Sequence, residues 1–142
     1  MIEDLVVLRA LEDSEINFVY HSWLRSFRSD STFYRTIPRE IFFENHRKRL
    51  YRLLDRSHCI VANPRDHPDI IVAYIVWELP EEGNAVIHYI YVKSDYRKMG
   101  LARLLVDVAA AGRKITATHR TDTIRRDRID IFNPYLMEIQ DD

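Results

Sequence analysis

Val86-Ile-His-Tyr-Ile-Tyr-Val-Lys-Ser-Asp-Tyr-Arg-Lys-Met-Gly-Leu-Ala-Arg-Leu-Leu105 is the stretch whose reading decides the fold. Val86 to Val92 is a run of β-branched and aromatic residues, the composition of a buried strand. Lys93 to Tyr96 is polar and turn-like. From Gly100 onward Leu101, Leu104, Leu105, Val108 and Ala109 recur at helical spacing, so the chain re-enters order as a helix with one buried face. Arg97-Lys98-Met99-Gly100-Leu101-Ala102 lies at the joint. The first turn of a helix presents backbone N–H groups without acceptors and the positive end of the helix dipole, both of which attract phosphate. Gly100 has no Cβ and permits close approach to the backbone, Ala102 keeps the next position small, and Arg97, Lys98 and Arg103 add cationic side chains. The joint therefore reads as a site for a phosphorylated cofactor. The plain alternative is a strand, turn and helix carrying a surface Arg-Lys pair, but glycine is scarce, with only Gly83, Gly100 and Gly112 in the chain.

Working outward, Leu5 to Ala10 reads as a first strand, and Glu12-Asp13-Ser14-Glu15 supplies a capping residue and an acidic first turn. Ile16, Val19, Tyr20, Trp23, Leu24 and Phe27 give the apolar stripe of a first helix. Ser26 to Ile37 reads as a loop, and Pro38 suits the start of a second helix containing Ile41, Phe42, Leu50, Leu53 and Leu54. Strands are predicted at Cys59 to Ala62, Ile70 to Trp77 and Ala85 to Val92, the last two joined through Pro80 to Asn84 as an antiparallel hairpin. Asn63 to Asp69 is turn chemistry. The helix after Gly100 runs to about Ala111 with Gly112 as its cap, and a fifth strand is expected at Lys114 to Thr118. Beyond it, a short helix is expected at Thr121 to Ile129 and a last strand at Tyr135 to Ile139.

Composition bounds the class. At 142 residues, with 46% apolar and 30% charged, the chain reads as one domain, residues 1–142, of ordinary globular usage. No apolar run approaches ~18 residues, and Met1-Ile-Glu-Asp4 is acidic where a signal peptide would be basic. Cys59 is the single cysteine, so it has no internal disulfide partner, and a cytoplasmic location is the simplest expectation. The net charge of −1 hides two basic clusters, one between Arg25 and Arg56 and one formed by Arg113, Lys114, Arg120, Arg125, Arg126 and Arg128. They read either as solvated helix faces or as attractors of a polyanion, whether a phosphorylated cofactor or an acidic or nucleic-acid acceptor.

Arg97-x-x-Gly100-x-Ala102 after a strand ending in Val92, with the lead-in Val92-x-x-x-Tyr96, resembles the acyl-CoA signature Arg/Gln-x-x-Gly-x-Gly/Ala of the GNAT N-acetyltransferase superfamily. The element order β-α-α-β-β-β-α-β is also similar to that family. The implied fold class is α/β (α+β): a mixed, mostly antiparallel sheet with helices on both faces. The resemblance implies that backbone N–H groups from Lys98 through Met99, Gly100 and Leu101 to Ala102 hold the CoA pyrophosphate, with Arg97 and Arg103 beside them. It also implies that the strand at Ile90, Tyr91 and Val92 pairs with the pantetheine arm. It covers Leu5 to about Thr118 and then thins. Thr118-His119-Arg120-Thr121 lacks the family's Asn, and no Tyr follows at the usual offset, which leaves the general acid and the C-terminal topology open.

Amine acetylation requires the ammonium to lose a proton and the leaving thiolate to gain one. Period 2 places Val86, His88, Ile90 and Val92 on one face and Ile87, Tyr89 and Tyr91 on the other. His88 has a side chain suited to the base, at a position where some family members carry one; a core histidine bonded to a neighbour is the competing reading. Glu78 is a second candidate base, acting through a water, and Tyr135 is the nearest candidate acid. The resemblance puts the acceptor between the first two helices and their loop, which singles out Trp23, Phe27, Arg28, Phe33 and Tyr34. The six histidines are scattered without metal-ligand spacing, so no metal is expected. Three functions stay open. The first is transfer of an acetyl group from acetyl-CoA, or another acyl-CoA, to an amine of a small molecule or protein by a monomer or homodimer. The second is an inactive GNAT-fold binding module, and the third a small nucleic-acid-binding protein.

Overall fold

A computed structural model describes residues 1–29, 32–119 and 128–137, without the side chains of Phe33 and Glu81. The chain runs α1 (Ile2–Leu5), β1 (Val6–Ala10), a 3-10 turn (Asp13–Glu15), α2 (Ile16–Ser29), α3 (Thr32–Arg35), α4 (Arg39–Arg56), β2 (His58–Pro64), β3 (Ala73–Glu81) and β4 (Asn84–Val92). A 3-10 turn (Ser94–Tyr96) leads to α5 (Leu101–Ala110), then β5 (Lys114–Ala117), β6 (Ile131–Phe132) and a last 3-10 turn (Pro134–Met137). The six strands form one sheet in chain order. Pairing is antiparallel from β1 through β4, and β4–β5 and β5–β6 are parallel.

The sheet separates two cores. On one face Leu101, Leu105, Val106, Ala109 and Ala110 of α5 pack on Ala73, Ile75, Ile87, Ile90 and Val92. On the other, Val19, Tyr20, Trp23 and Leu24 of α2 and Phe42, Leu50 and Leu53 of α4 pack on Val61, Tyr74, Val76 and Tyr89. The α2 stripe is the one its sequence spacing announces, and the basic residues Arg47, Lys48 and Arg52 of α4 lie exposed on its outer side. This is the mixed, mostly antiparallel architecture with helices on both faces that the pattern of elements implies.

Several boundaries differ from the sequence reading. A turn of helix precedes β1, and the expected loop from Ser26 holds the end of α2 and the short α3. β3 starts at Ala73, not Ile70, and continues through Pro80, which is tolerated because the ladder is interrupted between Glu78 and Glu81. The turn is then only Glu82-Gly83, with Gly83 at φ 82°. Ala111 as well as Gly112 is left-handed at the end of α5, at φ 49° and 82°. The last strand expected from Tyr135 is instead a 3-10 turn to Met137, and β6 at Ile131–Phe132 was not anticipated because two residues carry no periodicity. The expected helix at Thr121 to Ile129 lies outside the described residues up to position 127, and residues 138–142 lie outside as well.

Trp23 is wholly buried and its ring stacks on Tyr89 with centroids 5.4 Å apart. Trp23→Ala is expected to cost about 3–5 kcal/mol, read as a lower urea midpoint with little change in slope; a loss under about 1 kcal/mol would show that this core is not what holds α2 to the sheet.

Candidate functional site

The site begins with an irregularity in β4. Val76 is opposite Tyr89 but Trp77 is opposite Ile87, so His88 is an extra residue with no partner in the ladder. Such a bulge breaks the alternation of side chains and re-aims the inserted one. Ile87 accordingly joins Ile90 and Val92 in the core under α5. His88 does not share that face, contrary to simple period 2; its Nε2 instead lies 2.6 Å from Glu78 Oε1. Glu78 also accepts a hydrogen bond from Arg56 Nε, at 2.8 Å, from the end of α4. The His88 side chain is fully covered, and its Nδ1 is buried with no hydrogen-bond partner among the described residues. Burial pushes the Glu78 carboxyl up, but the bond and charge of His88 together with Arg56 outweigh it, and the net position is below the usual carboxylate range. Glu78 is therefore an anion at neutral pH. The two candidate bases of the sequence reading are thus one hydrogen-bonded pair.

The chain leaving β4 forms a tight loop. Lys93 N–H bonds to Val72 O at 2.8 Å, and Arg97 Nε donates to Val92 O at 3.0 Å, tying the loop back to its strand. Lys98 has φ 64° and Gly100 φ 88°, so two residues of three are left-handed. A Cβ on Gly100 would meet Ile2 only at 3.8 Å, so the backbone angle, not space, is what calls for glycine there. The N–H groups of Leu101, Ala102 and Arg103 precede the first intrahelical acceptor, since Leu104 N–H is the one that reaches Gly100 O. Those of Lys98, Met99 and Gly100 have no backbone partner among the described residues. Alternating backbone handedness before a helix N-terminus is the geometry of an anion nest. Leu101 buries its side chain in the core, so only its amide faces this loop, while Met99, Lys98 and Arg103 are exposed.

The expected acceptor residues divide. Trp23 is a core residue, and Arg28 donates to Ile37 O at 3.1 Å, holding the segment after α3. The side chain of Phe33 lies outside the description. Phe27 and Tyr34 do converge, 5.1 Å apart, and they meet residues the sequence reading did not single out. His46 stacks on Phe42 at 4.1 Å, and both Phe27 and Tyr34 contact His46. His119, just past β5, lies edge-on to Phe27 at 4.7 Å and stacked on Tyr89 at 5.7 Å. These rings run from α2–α4 to the strand beside His88. His46, His119 and Arg56 carry no sequence signal for a shared site, because their meeting depends on the packing of α4 and of the residues after β5 against the sheet. Tyr135 is 81% exposed, and among the described residues it makes no hydrogen bond to Glu78 or His88. A groove of about 880 Å³ lies at the His58–Trp77 end of β2–β3, lined in part by Tyr20, Tyr51, Asp55 and Cys59; none of the expected site residues lines it. Burial, with a contribution from Glu15, pushes the Cys59 thiol up to about 12, so it is inert.

Burial, and to a lesser degree the neighbouring His88, pushes the His119 imidazole from 6.5 down to about 3. The unfolded chain therefore takes up this proton first as the pH falls, and stability declines between about 6.5 and about 3. One such proton contributes a slope of up to about 1.4 kcal/mol per pH unit. His119→Gln should flatten the dependence, as measured by urea unfolding at about pH 7 and about pH 5; an unchanged slope would place His119 in solvent.

A profile of the GNAT acetyltransferase family matches residues 16–121. No curated protein is a significant match to the sequence. Among solved structures the chain is similar to a protein of Pyrococcus furiosus described as an acetyl transferase, with TM-score 0.65, 17% identity, and 82% of this chain and 84% of that one covered. It is also similar to a possible acetyltransferase of Clostridium difficile 630, with TM-score 0.55, 14% identity, and 84% and 83% covered. At such identities the structural likeness speaks for the fold, while the profile spans well over half of the sequence and takes in β4, the loop and α5. The chain belongs to the GNAT acetyltransferase family.

Proposed function

We propose that this chain is a single acyltransferase domain that moves an acetyl group from acetyl-CoA to an amine acceptor by direct transfer, with His88 as the base and Glu78 as its orienting carboxylate. The observation that carries this reading is the pairing of a covered imidazole with an ionised carboxylate, on the strand that runs straight into the anion-nest loop. The loop fits a pyrophosphate: amides of Lys98 to Arg103 are without backbone partners, and the left-handed Lys98 and Gly100 curve them around one concavity. Lys98 and Arg103 would add charge at the rim, whereas Arg97 is occupied with Val92 O and would serve by shaping the loop. The pantetheine arm would lie along Ile90 to Val92, beyond the rung where the parallel β4–β5 ladder reaches Ile87–Ala117.

Acetyl-CoA would supply the acetyl group as a thioester, activated toward attack by nitrogen. The chain's own task is to handle protons. Glu78, as an anion, accepts the Nε2 hydrogen of neutral His88 and leaves the Nδ1 lone pair to receive the proton of the acceptor ammonium. Transfer would exchange the thioester C–S bond for the amide C–N bond, the second proton shed by the amine nitrogen going to the departing sulfur. Tyr135, exposed on the last turn, is given no part in this scheme. The aromatic wall of Phe27, Tyr34, Phe42, His46 and His119 would line the acceptor side. A cytoplasmic setting accords with the single unpaired Cys59.

A second reading is a family member that binds cofactor without turnover. It is favoured by the complete covering of His88 and by the rings that fill the space beside it.

Two measurements test the proposal. Acetyl-CoA at about 100 times its Kd should add about 2.7 kcal/mol to stability, a rise of several degrees in Tm. Gly100→Val, which forces a β-branched residue to φ 88°, should abolish that rise in a folded protein. No rise at millimolar cofactor would overturn the assignment. Against a broad amine panel, His88→Ala should lower kcat by about 10²–10⁴ while the thermal shift persists; cofactor binding with no turnover in the parent protein would favour the second reading.

A further inference from the structure

Glu78 is held from two sides through one oxygen. Its Oε1 lies 2.6 Å from His88 Nε2 and accepts from Arg56 Nε at 2.8 Å. The other arm of the same guanidinium donates to Leu136 O at 2.9 Å. Arg56 ends α4, and Leu136 lies in the 3-10 turn whose Met137 is buried in the core beneath α2 and α4. One side chain thus joins α4, β3 and the C-terminal turn at the back of the histidine.

Two donors on one oxygen constrain the protonation of all three groups. An ionised carboxylate has no hydrogen to donate, so with Glu78 ionised the hydrogen shared with His88 is on Nε2. If Glu78 were protonated on Oε1, that O–H would be the donor toward His88 Nε2, and a neutral ring would carry its hydrogen on Nδ1. Arg56 is cationic at any ordinary pH and opposes that state. The charged and titratable groups facing the ring from neighbouring elements are Glu78 of β3, Arg56 of α4 behind it, and His119 beyond β5. An exposed arginine–carboxylate pair alone contributes little. Here its carboxylate is also the partner of a fully covered imidazole whose second nitrogen has no hydrogen-bond partner among the described residues, an arrangement that leaves a lone pair in reserve.

We propose that Arg56 is a positioning residue: it holds Glu78 ionised and turned toward His88, fixing the tautomer with hydrogen on Nε2 and the lone pair on Nδ1, and through Leu136 it ties this state to the docked C-terminal turn. The catalytic meaning of this inference rests on His88 being the base; its structural content does not. Glu78 lies below its ordinary range partly because of Arg56, so removal of the guanidinium makes the carboxyl protonate at higher pH.

The test is side-chain nitrogen NMR of the full chain labelled at histidine, from about pH 5 to about pH 8, together with pH–rate profiles. The parent protein should show His88 protonated on Nε2 throughout the neutral form. In Arg56→Met the neutral ring should also populate the Nδ1-protonated tautomer, because the carboxylate is no longer held toward Nε2, and activity should fall about tenfold. Arg56→Lys should restore the tautomer by charge but not the Leu136 bond, so hydrogen exchange in the Pro134–Met137 turn should quicken in both variants. Glu78→Gln should disturb the tautomer with Arg56 intact, which keeps the test usable if Arg56→Met does not fold. A parent His88 protonated on Nδ1, or an unchanged tautomer in a folded Arg56→Met, overturns the inference. Tautomers behaving as expected without turnover on any amine would uphold the inference while sinking the transferase reading.

Discussion

One inserted residue in β4 decides where His88 points. Because Tyr89 and Ile87 face Val76 and Trp77 in consecutive register, His88 has no place in the ladder and turns out of the strand's alternation. Without the bulge, His88 would lie among Ile90 and Val92 under α5, an imidazole buried against aliphatic side chains, at a cost of the order of 1–3 kcal/mol for its unmet polar atoms. With it, the ring reaches a carboxylate on the neighbouring strand, and the strand still delivers Ile87, Ile90 and Val92 to the α5 core. A local departure from regular pairing reconciles a continuous apolar face with a polar group in the same strand.

The two faces of the sheet then serve different ends. The α5 face is aliphatic and close-packed, and it fixes the helix whose N-terminus closes the anion nest. The α2–α4 face is aromatic: Tyr74 and Tyr91 stack at 5.3 Å, Trp23 on Tyr89 at 5.4 Å, and the array continues through His119 and Phe27 to Tyr34 and Phe42. Aromatic rings resist compression yet present polar edges, so such a face is stable while remaining able to meet a polar guest. Tyr74 illustrates the demand this makes, since its buried hydroxyl is satisfied by Ser22 at 2.7 Å and Val19 O at 3.2 Å.

Non-glycine residues take left-handed angles at Ala111, which ends α5, and at Lys98 in the loop. Lys98 is a non-glycine residue in the left-handed region, two positions before Gly100, and the tie from Arg97 to Val92 O helps to impose that path. A residue in this region costs of the order of 1–3 kcal/mol and persists when its surroundings over-determine it. Its coincidence with unpartnered amides is what gives the loop a functional character, beyond a turn that merely reverses direction.

The sequence by itself determined the order of elements, the stripe of α2, the β3–β4 hairpin and the glycine at the start of α5, because each is written in local periodicity or in a residue type that its backbone angle requires. It also supplied Glu78 and His88 as separate candidates. What only the tertiary structure decided was that they form one pair, that Arg56 stands behind it, and that Phe27 and Tyr34 meet His46 and His119 while Trp23 and Arg28 are given over to packing and to the chain after α3. The reason is physical: a bulge is a mismatch between two strands and a cluster is a meeting of distant elements. Neither leaves a mark within the short window over which hydrophobic spacing can be read.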